Sequence, residues 1–306
     1  MLRFAKIQRK ERVLKAIVGM TFAEFFKLLA LFTIALSEAE SKRTQAKVNR
    51  KRIPGGGRKS SLTTNEDKLL FILTYIKVYP TQDLQGIMFG LSQPTVCEWV
   101  QRLLPVLQVA LGKEIYLPVR PPVESLEVLF QRCPQLRFII DGTERPIQRP
   151  SDSERQRKHY SGKKKRHTVK NTVITDADTK KIVFLGKTFP GSTHDKTMAD
   201  EDKAPFPPGS KLWKDTGYQG YEPEGVECKQ PKKKPRGGEL NAEEKAQNKL
   251  ISQDRIGVEH SIGGSKVFGI VVQPFRNRRE NMIDDVMETS SGLHNFKLDC
   301  RLKKVI

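Results

Sequence analysis

The sequence predicts an all-α region followed by an α/β domain with a mixed sheet. Apolar residues recur at helical spacing as far as about residue 118. From about residue 136 the period changes to short runs rich in Val, Ile and Phe. Beyond these runs, helical and strand-like segments alternate, the pattern of an α/β layer. At 306 residues the chain can bury a proper core, as one large domain or two modest ones. The expected boundaries are N-terminal helices and a basic linker over 1–58, a helix-turn-helix region over 59–118 and the α/β domain over 130–306.

Residues 8–40 read as two helices, the second with Phe22, Phe25, Phe26, Leu29, Phe32 and Leu36 near helical spacing. Its segment TFAEFFKLLALFTIAL is short for a membrane span and carries Glu24 and Lys27, so a core helix is expected. No signal peptide stands out, and the expectation is a soluble protein of the cytoplasm. SKRTQAKVNRKRIPGGGRKSS follows, a linker or an arm that embraces DNA. Next, Thr63 or Thr64 caps a helix, with Glu66 and Asp67 in its first turn. A short helix over about 82–89 then meets Gly90, and Ser92 caps a second helix running to about Leu104. Pro94 suits its first turn, and Gln93 and Thr95 near its front are candidates to face DNA.

RFIIDGTE, HTVKNTVITD and KIVFLGKTFPG read as three successive antiparallel strands, with Asp176–Thr179 a tight turn between the last two. A helix near 194–202, strands at KLWKD and GVECKQ, and a basic loop PKKKPRGG follow. A long helix begins at NAEEK, and a last helix spans 280–290.

Lys and Arg total 55 against 35 Asp and Glu, a formal charge of +20. The cations recur at 42–58, 155–170, 229–236 and 276–279, a spread that favours duplex DNA as partner. Lys163, Lys164, Lys165 and Arg166 fall on a hairpin beside the first strand, and Lys232, Lys233, Lys234 and Arg236 on the loop before the long helix. Both groups read as phosphate contacts, and this reading of PKKKPR is better supported than a nuclear-import signal. No basic helix has the broad apolar face that a membrane surface requires. Cys97, Cys133, Cys228 and Cys300 lie far apart, which suits free thiols in a reducing compartment and argues against zinc.

Asp141 ends the apolar run Phe138-Ile139-Ile140, where a carboxylate is costly without a partner. Asp215 repeats the arrangement after Leu212-Trp213, and the carboxyl ends of buried strands are where α/β folds bind ligands. On the long helix, Arg255, Glu259 and Lys266 share one face. Two aspartates and a glutamate from two strands and a helix make a hard-oxygen site suited to Mg²⁺ or Mn²⁺. Two such ions can drive phosphodiester displacement, with Arg255 and Lys266 meeting phosphates. His159, Tyr160 and Ser161 are set aside as a nucleophilic group, since that chemistry needs no covalent intermediate. Glu144 points away from Asp141 if the strand continues and towards the site only if the chain turns.

The segments FIIDGTERPIQRP, KHYSGKKKRHTVKNTVITD, GSTHDKTM, WKDTGYQGY and the stretch from PKKKPRGG to GGSKVF resemble, in order and spacing, the Asp-Asp-Glu superfamily transposases of bacterial insertion sequences. The chain is similar also to the PIF/Harbinger class. The resemblance covers about residues 60–280 and implies a ribonuclease H-like catalytic domain. It implies Asp141, Asp215 and Glu259 as catalytic residues holding two Mg²⁺ or Mn²⁺ ions. The family's helix signature runs Tyr, two residues, Arg, three residues, Glu, six residues, Lys. Arg255, Glu259 and Lys266 fit it, while Ser252 stands at the tyrosine position. Asp195 is a second candidate for the second carboxylate, or a cap for the helix after it. The motif favours Asp215 and leaves His194 and Asp195 in support. A dimer or larger assembly on DNA is implied, with the helices of 8–40 as candidates for the contact.

Overall fold

The computed structural model describes residues 1–45, 60–122, 126–235, 238–279 and 281–302. Most of the basic linker (46–59) and Arg236 lie outside the described residues. The chain forms two compact units, one of Met1–Tyr116 with Val267–Ile270, the other of Leu117–Lys266 with Val271–Leu302.

The first unit is helical: α1 (Phe4–Ile7), α2 (Glu11–Val18), α3 (Phe22–Gln45), α4 (Asn65–Val78), α5 (Gln82–Phe89) and α6 (Gln93–Lys113). The two helices expected over 8–40 are α2 and α3, with the short α1 ahead of them. Gly19, left-handed at φ 74°, closes α2 and turns the chain into α3. Phe4 stacks on Phe25 at 4.9 Å, and its backbone N–H donates to Asp67 Oδ1 at 2.8 Å. The N-terminal segment is thereby tied to the first turn of α4. Thr64, not Thr63, is the cap: its hydroxyl accepts from the Asp67 N–H at 3.1 Å, worth about 1 kcal/mol.

Gln85, fully buried, donates from Nε2 to the Phe71 carbonyl at 3.0 Å, and Phe71 meets Phe89 edge to face at 5.1 Å. Those contacts fix α5 against α4. Gly90, at φ 69°, ends α5, and Ser92 opens α6 as expected. The Ser92 hydroxyl bonds Thr95 Oγ1 at 2.9 Å rather than the helix backbone, so the expected side-chain cap is absent. α6 also runs past Leu104 to Lys113, through Pro105. A proline inside a helix costs about 3 kcal/mol, and burial of Leu103, Leu104, Val106, Leu107, Ala110 and Leu111 offsets it. Phe268 is fully buried in this unit, and Lys77 Nζ donates to the Val267 carbonyl at 2.7 Å. Among the described residues no single helix is long and apolar enough to cross a membrane; α2 and α3 pass that test only as a pair bent by 58°.

The second unit holds α7 (Leu126–Arg132), β1 (Arg137–Pro146), α8 (Ser153–His159), β2 (Tyr160–Ser161), β3 (Arg166–Asp176), β4 (Ile182–Leu185), β5 (Phe189–Pro190), α9 (Asp195–Asp202), β6 (Lys211–Trp213), β7 (Glu227–Lys229), α10 (Ala242–Ser265) and α11 (Met282–Leu302). β3 pairs antiparallel with β1 on one side and with β4 and β5 on the other. β6 joins the far side of β1 in parallel, and β7 joins β6 in parallel. An antiparallel meander extended by two parallel strands is the mixed, ribonuclease H-like sheet that was expected. The turn at Asp176 is real: Oδ1 accepts from the Asp178 N–H at 2.8 Å, and Oδ2 from the Thr179 hydroxyl at 2.8 Å.

Two expectations need correction. β1 continues to Pro146, so Asp141 is mid-strand rather than at the strand's end. The last helix runs over Met282–Leu302 rather than 280–290, because its buried face continues through Leu293 and Phe296. There Asn295 also stands in for a strand, accepting from the Ile182 N–H and donating to the Ile182 carbonyl, each at 2.8 Å.

Candidate active site

β6 stays with β1 only as far as the pair Ile139–Trp213. The segment at Phe275 takes up the same edge of β1 later, with the Phe275 N–H donating to the Pro146 carbonyl at 3.0 Å. Between those points the β1 edge opens beyond the carboxyl ends of two parallel strands. This is the crevice in which α/β sheets bind ligands.

Asp141 projects there. Oδ1 accepts from the Gly142 N–H at 2.8 Å. Burial pushes its carboxyl up to about 6; the Gly142 N–H and Arg255 oppose the rise, and Asp215 and Asp195 add to it. Asp215, two residues beyond β6, caps a single 3-10 turn by accepting from the Gly217 N–H at 2.7 Å. Its other oxygen lies 3.9 Å from Arg255 Nη2.

Asp195 begins α9 without capping it, since the N-cap is the exposed His194. Its Oδ1 instead pairs with Lys170 Nζ at 3.3 Å, and the same ammonium donates to the Thr193 carbonyl at 3.0 Å. Two glycines show how near the carboxylates are. A Cβ on Gly217 would lie 2.9 Å from both Asp195 Oδ2 and Asp215 Oδ1, and one on Gly142 would lie 3.1 Å from Asp195 Oδ1.

Tyr218 was not anticipated. It is fully buried, and its hydroxyl has no hydrogen-bond partner although it lies 3.6 Å from the Gly142 Cβ position. Burial, and then the charges of Asp195, Asp141 and Asp215, hold its ionisation well above the usual tyrosine range. The sequence signal was its position three after Asp215, where a 3-10 turn returns the chain beside its start.

α10 crosses over β6, opened by a capping box between Asn241 and Glu244. Asp254 accepts from Trp213 Nε1 at 2.9 Å, which locks the helix one residue before Arg255 to the strand that leads into Asp215. Gly257 permits the close pass of Lys180, whose Nζ lies 2.6 Å from where a Cβ would be. Glu259 is exposed on this helix. Lys266 follows the helix end, held below its usual range by burial and then by Lys164.

The donors fit a hard divalent cation in kind, being carboxylate oxygens with like charges pressed together. As they stand, no three His, Cys, Asp or Glu side chains among the described residues converge on one point. Glu144 points away from Asp141 because β1 continues, and its Oε1 accepts from the Thr168 hydroxyl at 2.6 Å.

Of the expected DNA contacts, Lys163, Lys164, Lys165 and Arg166 are exposed at the β2–β3 turn. Lys232 is tied to α10, its Nζ 2.9 Å from Glu244 and its N–H donating to Asn248 Oδ1 at 2.8 Å, while Lys233 and Lys234 are exposed. Gln93 is exposed at the front of α6, its amide bonded to Gln82, and Thr95 is half-buried.

A carboxylate cluster on such a sheet, behind a helix-turn-helix, defines a class: the chain belongs to the DDE superfamily endonucleases, whose family model matches residues 140–295. The helix-turn-helix domain of that superfamily matches residues 60–113. Among individual proteins, the chain is 31% identical over 258 residues to the probable transposase of insertion sequence element IS702 from Microchaete diplosiphon, covering 82% of this chain and 87% of that one. No solved structure matches.

Proposed function

We propose that this chain is a transposase that binds the terminal inverted repeats of its element, cleaves phosphodiester bonds at the ends and joins the freed 3′-hydroxyls to target DNA. The meeting of Asp141, Asp195 and Asp215 at the open edge of β1, in a DDE endonuclease with a helix-turn-helix, carries this reading. In it Asp141, Asp215 and Glu259 hold the metal. When bound, a pair of Mg²⁺ or Mn²⁺ ions supplies activation of the attacking hydroxyl and stabilisation of the leaving oxygen. Arg255 and Lys266 meet phosphates, and His194 and Asp195 support the ligands. Gln93 and Thr95 lead α6 into the DNA, and the lysines of the β2–β3 turn and of 232–234 neutralise the backbone. Two ends cut together imply a homodimer or larger assembly, acting on DNA in the cytoplasm.

Asp195 is the alternative third carboxylate, because it already lies with the other aspartates whereas Glu259 is exposed. The test is cleavage of labelled duplex carrying the DNA ends that border the gene, with Mg²⁺, Mn²⁺ or EDTA. Wild type is compared with Asp141→Ala, Asp215→Ala, Glu259→Ala and Asp195→Ala. Metal-dependent nicking at the ends, lost in the first three variants while binding persists, supports the reading. If Glu259→Ala cuts and Asp195→Ala does not, the third carboxylate is Asp195. End binding without any cleavage overturns the catalytic part.

A further inference from the structure

Tyr218 carries a fully buried hydroxyl into a group of carboxylates and gives it nothing to bond. Its backbone is fixed by the 3-10 turn that Asp215 caps. The Tyr218 N–H donates to the Asp215 carbonyl at 3.2 Å, and its own carbonyl accepts from the Tyr221 N–H at 3.0 Å. The ring belongs to the core that Phe138, Ile140, Ala199 and Leu212 help to form. Among the described residues the hydroxyl at its tip has no hydrogen-bond partner. A phenylalanine would fill the same core without stranding a polar atom, and a buried donor left unmade destabilises a fold.

The geometry shows which partner lies nearest. The Cβ that Gly142 lacks would stand 3.6 Å from the Tyr218 hydroxyl and 3.1 Å from Asp195 Oδ1. Hydroxyl and carboxylate therefore border one small gap, which a side chain at 142 would close. Of the surrounding charges, Asp195 bears most strongly on the hydroxyl, ahead of Asp141 and Asp215. Asp195 is itself held by Lys170 Nζ at 3.3 Å, an ammonium shared with the Thr193 carbonyl. A divalent cation among the aspartates would repel that ammonium, whereas a neutral hydroxyl can donate beside a cation. We infer that Tyr218 is a positioning residue, its hydroxyl donating to the Asp195 carboxylate when a divalent cation among the aspartates weakens the hold of Lys170. The inference rests on the reading of Asp141 and Asp215 as metal ligands, and it names the residue that keeps Asp195 beside them.

The experiment is a titration of the full-length protein with Mn²⁺, the free ion being followed by its electron paramagnetic resonance signal, together with melting curves in metal-free buffer. Wild type is compared with Tyr218→Phe, Asp195→Ala, the double variant and Asp141→Asn. Tyr218→Phe keeps the ring and is expected to bind Mn²⁺ about tenfold more weakly, the order of loss when the hydrogen-bond partner of a metal-site residue is removed. Without metal it melts no lower than wild type, since the hydroxyl it loses had no partner. In the Asp195→Ala background the same change costs less than about twofold, because the carboxylate through which it acts is gone. Unchanged affinity in Tyr218→Phe, an equal loss in the Asp195→Ala background, or a lower metal-free melting temperature overturns the role of Tyr218 and spares the metal centre. A wild type that binds no Mn²⁺, or an Asp141→Asn variant that binds it as tightly as wild type, overturns both.

Discussion

Asp141 and Arg145 lie on the same side of β1 and meet opposite surroundings. Arg145 is buried, donating to the Ile283 carbonyl at 2.8 Å and to Asn171 Oδ1 at 2.6 Å. Asp284 stands near it, bound in turn by Arg120 at 2.6 Å and by the Thr188 hydroxyl at 2.8 Å. Burial brings Arg145 down to about 10, and Asp284 resists that fall. Asp141 has one backbone N–H and a guanidinium, set against two more aspartates. The first group is a joint, with β1, β3 and α11 fastened by charges whose partners are built in. The second sets three aspartates against two cations, Arg255 and Lys170, and so keeps a net negative charge inside the fold.

The largest expected effect is on chemistry. If Asp141 holds the metal as proposed, Asp141→Asn loses at least about a thousandfold in end cleavage, since a metal ligand is worth several kcal/mol, and it leaves the urea midpoint no lower than that of wild type. A variant that cut normally would erase the distinction between the two clusters. Arg145→Met should do the reverse, destabilising by about 3 kcal/mol in urea unfolding because Asp284 and Asn171 lose a buried partner. A loss below about 1 kcal/mol would mean that the joint is dispensable.

The pH dependence of stability sharpens the contrast by its sign. His294 of α11, its ring 3.3 Å from the Lys180 carbonyl, is held down to about 4 by burial. The unfolded chain binds a proton there below about pH 6.5 that the native state refuses. That stability is complete above about 6.5 and is lost as pH falls through 4, roughly 3 kcal/mol in all. Asp141, raised to about 6, acts oppositely: its contribution is complete below about pH 4 and is lost as pH rises through 6. Melting curves in metal-free buffer should show His294→Gln flattening the acid limb. Asp141→Asn should melt above wild type near pH 7.5 and with it near pH 4. The smallest effect belongs to the helical unit, where Gly90→Ala should cost about 1 kcal/mol by forcing a side chain to φ 69°.

Much of this was legible in the residues. The helix-turn-helix could be read because Gly90, Ser92 and Pro94 are punctuation whose meaning is local. The hairpin at Asp176 was legible for the same reason. Pro105 misled because its local meaning, a helix end, is overridden by apolar neighbours that only the tertiary packing reveals. The place of Asp141 in mid-strand was hidden too, since nothing in DGTERP says that β3 will pair as far as Pro146. Arg145 and its partners went unnoticed because Asn171, Thr188 and Asp284 are scattered through the sequence and acquire meaning only when the sheet brings them together. Tyr218 lay in a motif already singled out, and only burial distinguishes it from an ordinary aromatic.

The helical unit is closed by four residues that come from far downstream, Val267–Ile270, with Phe268 fully buried among them. For anyone wishing to express the DNA-binding part alone, a stop codon after Tyr116 therefore removes a piece of its interior. Such a fragment would expose the apolar surface that Phe268 covers, and it would lose the carbonyl that Lys77 binds. Supplying the missing stretch as a fused tail should recover solubility where a simple truncation aggregates.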